Sequence, residues 1–347
     1  MTGVGPGPRP PVPAPAGAAG GTMGFGLVGC GVIAETFAAA LARLDNARLV
    51  AVHDVDDKKG DVFAAQHEVA MAGALSELLG RADIETVCVC VPSGLHAEVG
   101  LAVAGAGKHV VVEKPIDVTL AAARRLIEGA GRAGVSLHVI SQQRYNPGVR
   151  RAKQLLDEGR LGRPLFVQAR VPWYRTQAYY DSAEWRGTWA LDGGGALMNQ
   201  GVHYADLLCW LFGRPEVVAA ACARLDHDIE GEDLATALLR FPDGPQGSLI
   251  ATTDAFPGFP AVLSVSGTLG SLELVAGALV ALELKDDSDL GPVDVRALEM
   301  PDGHQAQLAD VVAAIQERRP PPIGGEDGYR ALQLVLDVYS AAGWEPA

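Results

Sequence analysis

The segment Gly29-Cys30-Gly31-Val32-Ile33-Ala34 constrains the fold of this chain more than any other part of the sequence. It follows a short strand-like run at 24–28 and opens an alanine-rich helical pattern at 32–44. In a strand–turn–helix unit, the first glycine allows the tight turn, the second lets the backbone approach a pyrophosphate, and the alanine lets helix and strand pack closely. The helix N-terminus then binds phosphate. We therefore predict that a dinucleotide binds at Gly29, Gly31, Val32 and Ile33.

The two halves of the chain have different secondary-structure patterns. Short apolar runs alternate with helical patterns up to about residue 141, which is typical of a parallel sheet with crossover helices. Beyond Arg144, strand-like segments follow one another without crossover helices, and this predicts a mainly antiparallel sheet. These segments are 164–172, 216–225, 234–241, 247–254, 261–267, 271–275 and 278–284. We predict an α/β Rossmann domain followed by an α+β domain with an open, mainly antiparallel sheet.

The predicted domain organisation has four parts. Residues 1–22 are mostly glycine, proline and alanine, lack the apolar centre of a signal peptide, and are predicted to be a disordered leader. The Rossmann domain is predicted at 23–145, the α+β domain at 146–324 and a C-terminal helix at 325–347. Because an open sheet needs to be covered, we expect a homodimer or homotetramer.

Composition narrows the class of protein. With 48% hydrophobic and 20% charged residues over 347 positions, the chain is expected to be a soluble globular protein. A net charge of −14 argues against a nucleic-acid surface, and no apolar run is long enough to span a membrane. The five cysteines lack the spacing of disulfides or metal ligands. We therefore predict no metal and a cytoplasmic location.

Asp54 ends the second predicted strand, at the distance from the glycines expected for an acid that binds a ribose 2′-hydroxyl. A carboxylate there repels a 2′-phosphate, so NAD is favoured over NADP as the cofactor. Lys58 and Lys59 lie nearby and keep NADP open as an alternative. Asp54 could also be a simple turn residue.

Two further loops follow predicted strands of the first half, at the edge where cofactors lie in such sheets. Pro92, Ser93 and His96 follow the fourth strand and are predicted to contact the cofactor, although His96 could merely lie near a helix start. Glu113-Lys114-Pro115 follows the apolar run 109–112. An amine delivered there lies beside the nicotinamide, where its pKa can fall and where it can share in proton transfer.

The stretch 192–206 combines three glycines with a polar helical pattern. If it is helical after the glycines, Asn199 and His203 lie on one face and Asp206 lies one turn beyond. Polar groups in an otherwise apolar helix need partners. The glycines suggest a close approach by a ligand or by another backbone. A histidine satisfied inside the core is the alternative to a functional one.

These motifs together resemble the glucose–fructose oxidoreductase / inositol dehydrogenase / rhizopine-catabolism family, or Gfo/Idh/MocA. The resemblance covers about residues 23–343 and includes 26–41, 91–98, 107–115, 143–147, 194–213 and 325–342. It implies a sugar substrate held between the nicotinamide and the second sheet, with Lys114 and His203 as the catalytic pair. We also count Glu113 and Lys114 among the cofactor residues, and Arg144, Tyr145, Asn199, Gln200 and His203 among the substrate residues.

The chain departs from the commonest family pattern at Asn199, where most members have aspartate four residues before the histidine. We therefore assign the base to His203 and predict that the Asn199 amide orients the substrate. Aromatic residues interleaved with arginines before the glycines resemble the branch that oxidises the 3-hydroxyl of UDP-N-acetylglucosaminuronic acid. Arginines bind phosphate and carboxylate, and aromatic faces suit sugar and uracil rings. The predicted substrate residues of this segment are Arg175, Tyr179, Tyr180 and Arg186.

Other functions remain open at this point. The same chemistry could act on inositol or a simple sugar, and the aromatic residues could merely pack between helix and sheet. A catalytically silent NAD-binding regulator of the same fold is a further alternative. Retention of both Lys114 and His203 argues against the regulator.

Overall fold

The computed structural model describes residues 21–285 and 302–344. Residues 1–20 of the predicted leader lie outside the described residues. Two sheets with flanking helices account for most of the described chain.

The first sheet is entirely parallel and has six strands in the order β3-β2-β1-β4-β5-β6. Its strands are β1 Met23–Val28, β2 Ala47–His53, β3 Ala70–Met71, β4 Thr86–Val89, β5 His109–Val112 and β6 Leu137–Val139. Strands β1, β4 and β6 are buried along their whole length, as expected for a sheet covered on both faces. The strand order reverses between β1 and β4, and the clefts at such a point are where ligands bind.

Helices connect these strands and cover both faces of the sheet. They are α1 Val32–Leu41, α2 Asp57–Gln66, α3 Leu75–Gly80, α4 His96–Gly105 and α5 Leu120–Ala133. Thr119 accepts a hydrogen bond from the Ala122 N–H and so caps α5, as its sequence position suggests. The predicted Rossmann architecture is confirmed.

The second sheet has seven strands in the order β13-β12-β11-β7-β10-β9-β8. They are β7 Pro164–Pro172, β8 Glu216–Ala223, β9 Leu234–Arg240, β10 Gln246–Thr252, β11 Val262–Gly267, β12 Gly270–Val275 and β13 Ala278–Leu284. Only β7 and β10 pair in parallel, and the other neighbours are antiparallel. The prediction of a mainly antiparallel sheet is therefore confirmed.

Five more helices complete the described chain: α6 Pro147–Asp157, α7 Gln177–Asp181, α8 Val202–Phe212, α9 Asp302–Gln316 and α10 Gly325–Ala341. Helix α8 packs one face of the second sheet, and α10 lies between α8 and the Rossmann helix α5. Helix α9 packs on α1, and the Val139 N–H donates to the Ile323 carbonyl. The last helices thus join the second sheet to the first.

Candidate active site

The fingerprint turn has an open space where a pyrophosphate would lie. Gly29 has a φ of +92°, and a Cβ there would come within 2.7 Å of the Cys90 carbonyl oxygen, so only glycine fits. A Cβ on Gly31 would meet no protein atom within 4 Å. Gly31 is also the N-cap of α1, and among the described residues no side chain caps this helix. The free N–H groups of Val32 and Ile33 therefore suit a phosphate.

Asp54 joins the fingerprint turn to the end of β2. Its Oδ2 accepts a hydrogen bond from the Cys30 N–H at 2.7 Å, and its Oδ1 accepts one from the Asp56 N–H at 2.8 Å. Each oxygen keeps a lone pair for a ribose hydroxyl. Lys58 and Lys59 line a cavity of about 330 Å³ beside Cys30. The two lysines that could bind the 2′-phosphate of NADP therefore lie next to the same turn.

The loop after β4 contacts the second half of the chain. The Gly94 N–H donates to the Leu191 carbonyl at 2.9 Å. His96 is buried, and its Nδ1 and Nε2 lie 2.7 and 2.9 Å from the carbonyl oxygens of Pro115 and Val91. Because both ring nitrogens are engaged with backbone, His96 braces two loops at the cofactor edge in this structure. A direct contact of His96 with a cofactor stays a prediction.

Glu113 and Lys114 follow β5 at the same edge. Glu113 accepts hydrogen bonds from its neighbour's backbone N–H at 2.9 Å and from His304 Nε2 at 3.0 Å. Burial alone would raise the pKa of Glu113, but His304 and Lys114 outweigh it and bring that pKa to about 2. Glu113 is thus a buried anion behind Lys114, and α9 supplies its partner.

Lys114 contacts Asn199 directly. Its Nζ donates to the Asn199 carbonyl at 2.9 Å and to the side-chain Oδ1 at 3.1 Å. The Asn199 Nδ2 in turn donates to Asp192 Oδ1 at 3.0 Å, and Asp192 Oδ2 accepts from the Gly187 N–H at 2.8 Å. Sequence reasoning missed Asp192, although the residue begins the glycine stretch that it singled out.

The segment that carries Asn199 and His203 begins with a π-helical turn at Leu197–Gly201, followed by α8. Such wide turns occur frequently at functional sites, and the 3.6-residue pattern did not predict this one. His203 is buried, and burial together with the charge of Lys114 lowers the pKa of His203 to about 3. The imidazole is therefore neutral near physiological pH. Gln200 is also buried, and its Oε1 has no hydrogen-bond partner in the described chain.

The three glycines approach protein rather than leaving room for a ligand. A Cβ on Gly195 would lie 1.8 Å from the Glu232 carbonyl oxygen, and one on Gly194 would meet Tyr339 at 2.3 Å. This close approach lets the Glu232 carboxylate accept from the N–H groups of Gly195 and Leu197 at 2.9 and 2.6 Å. Glu232 thus caps the start of the segment that carries Asn199 and His203.

Two arginines and a tyrosine form a cationic aromatic cluster at the site, defined here as Arg175, Tyr179 and Arg186. The guanidinium carbons lie 5.0 Å (Arg175) and 4.3 Å (Arg186) from the Tyr179 ring centroid, within cation–π range. Arg186 also donates to the Tyr179 hydroxyl at 2.7 Å. Burial lowers the pKa of Lys114, and the charges of both arginines lower it further. The cluster therefore lies within electrostatic reach of Lys114.

A buried histidine holds this cluster in place. His227 Nε2 lies 2.9 Å from the Arg175 carbonyl oxygen, and its ring packs edge-on against Tyr180, whose hydroxyl lies 2.9 Å from Thr253 Oγ1. Tyr180 is thus a buried packing residue. The ligand atoms of Asp226, His227 and Asp254 lie within 4.8 Å of one another. His227 Nδ1 lies 2.9 Å from Asp254 Oδ1, and we assign no metal to the group.

Two predicted substrate residues, Arg144 and Tyr145, have acidic partners within the protein. Arg144 forms a buried pair with Asp206, with Nε at 2.8 Å and Nη2 at 2.5 Å from its carboxylate oxygens, and it also donates to Asp327. The Tyr145 hydroxyl donates to Asp310 at 2.7 Å. Both side chains are committed to helices α8, α9 and α10, because a buried charge or hydroxyl needs such partners. They join the end of the Rossmann half to these three helices, and a substrate contact of either residue stays a prediction.

Fold and site together define a dinucleotide-dependent oxidoreductase, with a Rossmann cleft that meets a half-buried lysine and a buried histidine. Two family models match the chain: "Oxidoreductase family, NAD-binding Rossmann fold" over residues 23–141 and "GFO/IDH/MocA C-terminal domain" over residues 149–273. The chain belongs to the Gfo/Idh/MocA family of NAD(P)-dependent oxidoreductases, which act on sugar CH–OH groups. The predicted family and enzyme class are confirmed.

Characterised relatives align over nearly the whole chain. The chain is 30% identical to 1,5-anhydro-D-fructose reductase from Ensifer adhaerens over 338 residues, which cover 92% of this chain and 96% of that protein. It is 26% identical to myo-inositol 2-dehydrogenase from Thermotoga maritima, over 90% of this chain and 94% of that one. Among the described residues, no helix is long and apolar enough to cross a membrane.

Solved structures of similar proteins contain a nicotinamide cofactor. The WlbA dehydrogenase from Bordetella pertussis, in complex with NADH and UDP-GlcNAcA, is 32% identical with a TM-score of 0.87, over 94% of this chain and 97% of that chain. The WlbA enzyme from Chromobacterium violaceum, with the same two ligands, is 31% identical with a TM-score of 0.87, over 96% of both chains.

Proposed function

We propose that this protein is an NAD-dependent dehydrogenase that oxidises the 3-hydroxyl of a UDP-linked N-acetylamino uronic sugar. The observation that carries this proposal is the cationic aromatic cluster within electrostatic reach of Lys114. Guanidinium groups bind carboxylates and phosphates with paired hydrogen bonds. An uncharged polyol needs no such groups. The 32% identity to a WlbA dehydrogenase bound to UDP-GlcNAcA supports the same substrate class.

The cofactor contacts follow from the cleft. Gly31 and the N–H groups that open α1 would hold the pyrophosphate, and Asp54 would bind a ribose hydroxyl. Bound NAD supplies the hydride acceptor for the carbon that is oxidised. The open space at Gly31 and the uncapped helix N-terminus support this placement.

The protein's own groups then handle the proton. Neutral His203 accepts the proton of the substrate hydroxyl as the C–H bond breaks and the C=O bond forms. The Lys114 ammonium stabilises the negative charge that develops on the oxygen. Asn199 fixes the lysine through its carbonyl and its Oδ1. The sum of the reaction is a ketone, NADH and one proton.

The substrate proposal is tested by comparing kcat/KM, from NADH absorbance, for UDP-N-acetylglucosaminuronic acid, free N-acetylglucosaminuronic acid and myo-inositol. We expect the UDP-sugar to be best, and Arg186→Ala to lower its kcat/KM by about tenfold to a hundredfold, the loss expected for about 1.5–3 kcal/mol of charge-assisted hydrogen bonding. Arg240→Ala is the matched control, because Arg240 is exposed and pairs with Glu216.

Either of two results contradicts the nucleotide-sugar proposal. One is that myo-inositol or the free sugar is the best substrate. The other is that Arg186→Ala and Arg240→Ala behave alike. In both cases a polyol or simple-sugar dehydrogenase remains the better assignment. Absence of NAD reduction with every hydroxyl substrate, despite NAD binding, would favour a regulator.

We further propose that the outer face of the second sheet forms a homodimer interface. Phe166 and Leu238 are 47% and 58% exposed. Gln168 is paired with Ser248, and Ser248 is paired with Leu238, so these three residues lie on one face of the sheet. Phe166 lies on the same face, because it is two residues before Gln168 on the strand. Apolar side chains exposed together favour association.

Light scattering should give a dimer or larger for the wild type and a monomer for Phe166→Glu/Leu238→Glu. Val55→Glu, at a 96% exposed position, should leave the mass unchanged, and a monomeric wild type contradicts the interface.

A further inference from the structure

The Lys114 ammonium is linked to a buried carboxylate that it does not touch. Asn199 lies between the two, with Oδ1 accepting from Lys114 Nζ at 3.1 Å and Nδ2 donating to Asp192 Oδ1 at 3.0 Å. Asp192 is 2% exposed, and its other oxygen accepts from the Gly187 N–H at 2.8 Å. In each hydrogen bond from Lys114 through Asn199 to Asp192, a donor therefore meets an acceptor.

This arrangement fixes which way the Asn199 amide points. A carboxylate can only accept, so Asp192 selects the orientation with Nδ2 toward itself and Oδ1 toward Lys114. The flipped amide would place two N–H groups against an ammonium and an oxygen against a carboxylate. Asp192 thereby also determines where the Lys114 amine is held.

We propose that Asp192 is a positioning residue for the reaction: it orients Lys114 through the Asn199 amide, in place of a carboxylate bound directly to the lysine. The inference rests on the proposed function, in which Lys114 and His203 are catalytic. The proposal explains the asparagine at position 199. The Asp192 carboxylate is still present and acts on Lys114 through the Asn199 amide that lies between them.

The charges around the pair define the expected pH behaviour. Burial lowers the pKa of Lys114, and so do Arg186 and Arg175, whereas the charges of Glu113 and Asp192 raise it. Burial raises the pKa of Asp192, the charges of Lys114 and Arg186 lower it, and the charge of Asp192 in turn raises the pKa of Tyr180. Removing the Asp192 carboxylate therefore leaves Lys114 with less negative charge nearby, and its pKa should fall.

Asp192→Asn is the first test, with UDP-N-acetylglucosaminuronic acid and NAD. An amide accepts on one atom only, so this variant must lose the Gly187 contact or flip Asn199. We expect kcat to fall on the order of a hundredfold, as misplacement of a reacting group does, with KM little changed. The limb of the pH–kcat/KM profile that Lys114→Ala removes should move to lower pH, because Asp192 no longer raises the pKa of Lys114. Glu230→Gln is the matched control, because Glu230 holds the same loop through the Trp189 N–H without contacting Asn199.

The reciprocal variant Asp192→Asn/Asn199→Asp separates positioning from structural support. Here the amide at 192 can accept from Gly187 and donate to the carboxylate at 199, which accepts from Lys114. We expect kcat to recover at least about tenfold over Asp192→Asn, with the Lys114 limb above its wild-type position. In a Lys114→Ala background, Asp192→Asn should cause no further loss.

The outcomes distinguish the two levels of the hypothesis. If Lys114→Ala abolishes turnover but Asp192→Asn matches Glu230→Gln in kcat and in the pH limb, only the positioning role is contradicted. The same holds if the reciprocal variant is no better than Asp192→Asn. If Lys114→Ala keeps near-normal turnover while NADH binding is intact, the proposed mechanism fails and the positioning role fails with it.

Discussion

Replacement of Glu232 by glutamine should change how the stability of this protein depends on pH. Glu232 is fully buried, and burial raises its pKa from 4.5 to about 7, although Leu197, Gly195 and Tyr339 donate hydrogen bonds to it. Its folded pKa lies above its unfolded pKa, so the folded state binds the proton more tightly. The stability from that proton is therefore complete below about pH 4.5 and is lost as the pH rises through about 7.

The magnitude follows from the two pKa values of Glu232. A pKa difference between 4.5 and about 7 corresponds to about 3 kcal/mol in total, and about 2.5 kcal/mol of it falls between about pH 5 and pH 8. Asp192 and Asp254, whose pKa values are also raised to about 6 by burial, titrate in the same range. Their contributions cancel when Glu232→Gln is compared with the wild type at each pH.

Urea unfolding followed by tryptophan fluorescence and circular dichroism provides the measurement. The free energy of unfolding of Glu232→Gln minus that of the wild type should rise by about 2–3 kcal/mol from about pH 5 to pH 8, because only the wild type loses stability over this range. The exposed Glu128→Gln should show no such trend. Because Glu232 also caps the segment that carries Asn199 and His203, kcat should fall in the variant. A pH-independent stability difference for Glu232→Gln would refute this account of the buried carboxylate.

Two further predictions concern the cofactor and the chemistry. Asp54 should make NAD bind more tightly than NADP in a fluorescence titration, and Asp54→Ala should reduce the difference in affinity between the two cofactors. Equal or tighter NADP binding in the wild type would instead indicate that Lys58 or Lys59 binds the 2′-phosphate. Lys114→Ala and His203→Ala should each reduce turnover by about a hundredfold to ten-thousandfold while NAD affinity stays nearly intact, and near-normal turnover in either variant would make that residue structural.

The fold could be predicted from sequence to a large extent because local patterns decide most of it. The glycine fingerprint and the alternation of strands and helices led to the parallel sheet, and the predicted β7 and β13 agree with the structure at both ends. The parallel pairing of β7 with β10 was not predictable. That pairing joins segments distant along the chain, so no turn between them reveals their relative direction.

Site residues were predictable where each lies in a recognisable sequence motif. They were less predictable where the role of a residue depends on partners that are distant along the chain. Lys114 and Asn199 were each singled out from a separate motif, and in the structure they form a hydrogen bond with each other. The pairing of Arg144 with the buried Asp206 was not predictable, because an arginine that pairs with a buried aspartate and one that binds a substrate look alike in sequence. Glu232 was missed because a single acid before a strand gives no signal until the glycines are seen to approach its backbone.

The departure at Asn199 connects the site to the fold. A carboxylate in direct contact with Lys114 would raise the lysine pKa. The neutral Asn199 amide orients the lysine amine without adding a negative charge beside it. That solution needs Asp192 to be held, and the loop that carries it is fixed by the Gly94–Leu191 hydrogen bond to the Rossmann half of the chain. In the proposed arrangement, this contact between the two halves of the chain helps to hold the Asn199 amide in its orientation. Loss of the Gly94 contact should then impair turnover through Lys114, even though Gly94 contacts neither the lysine nor Asn199 in the described structure.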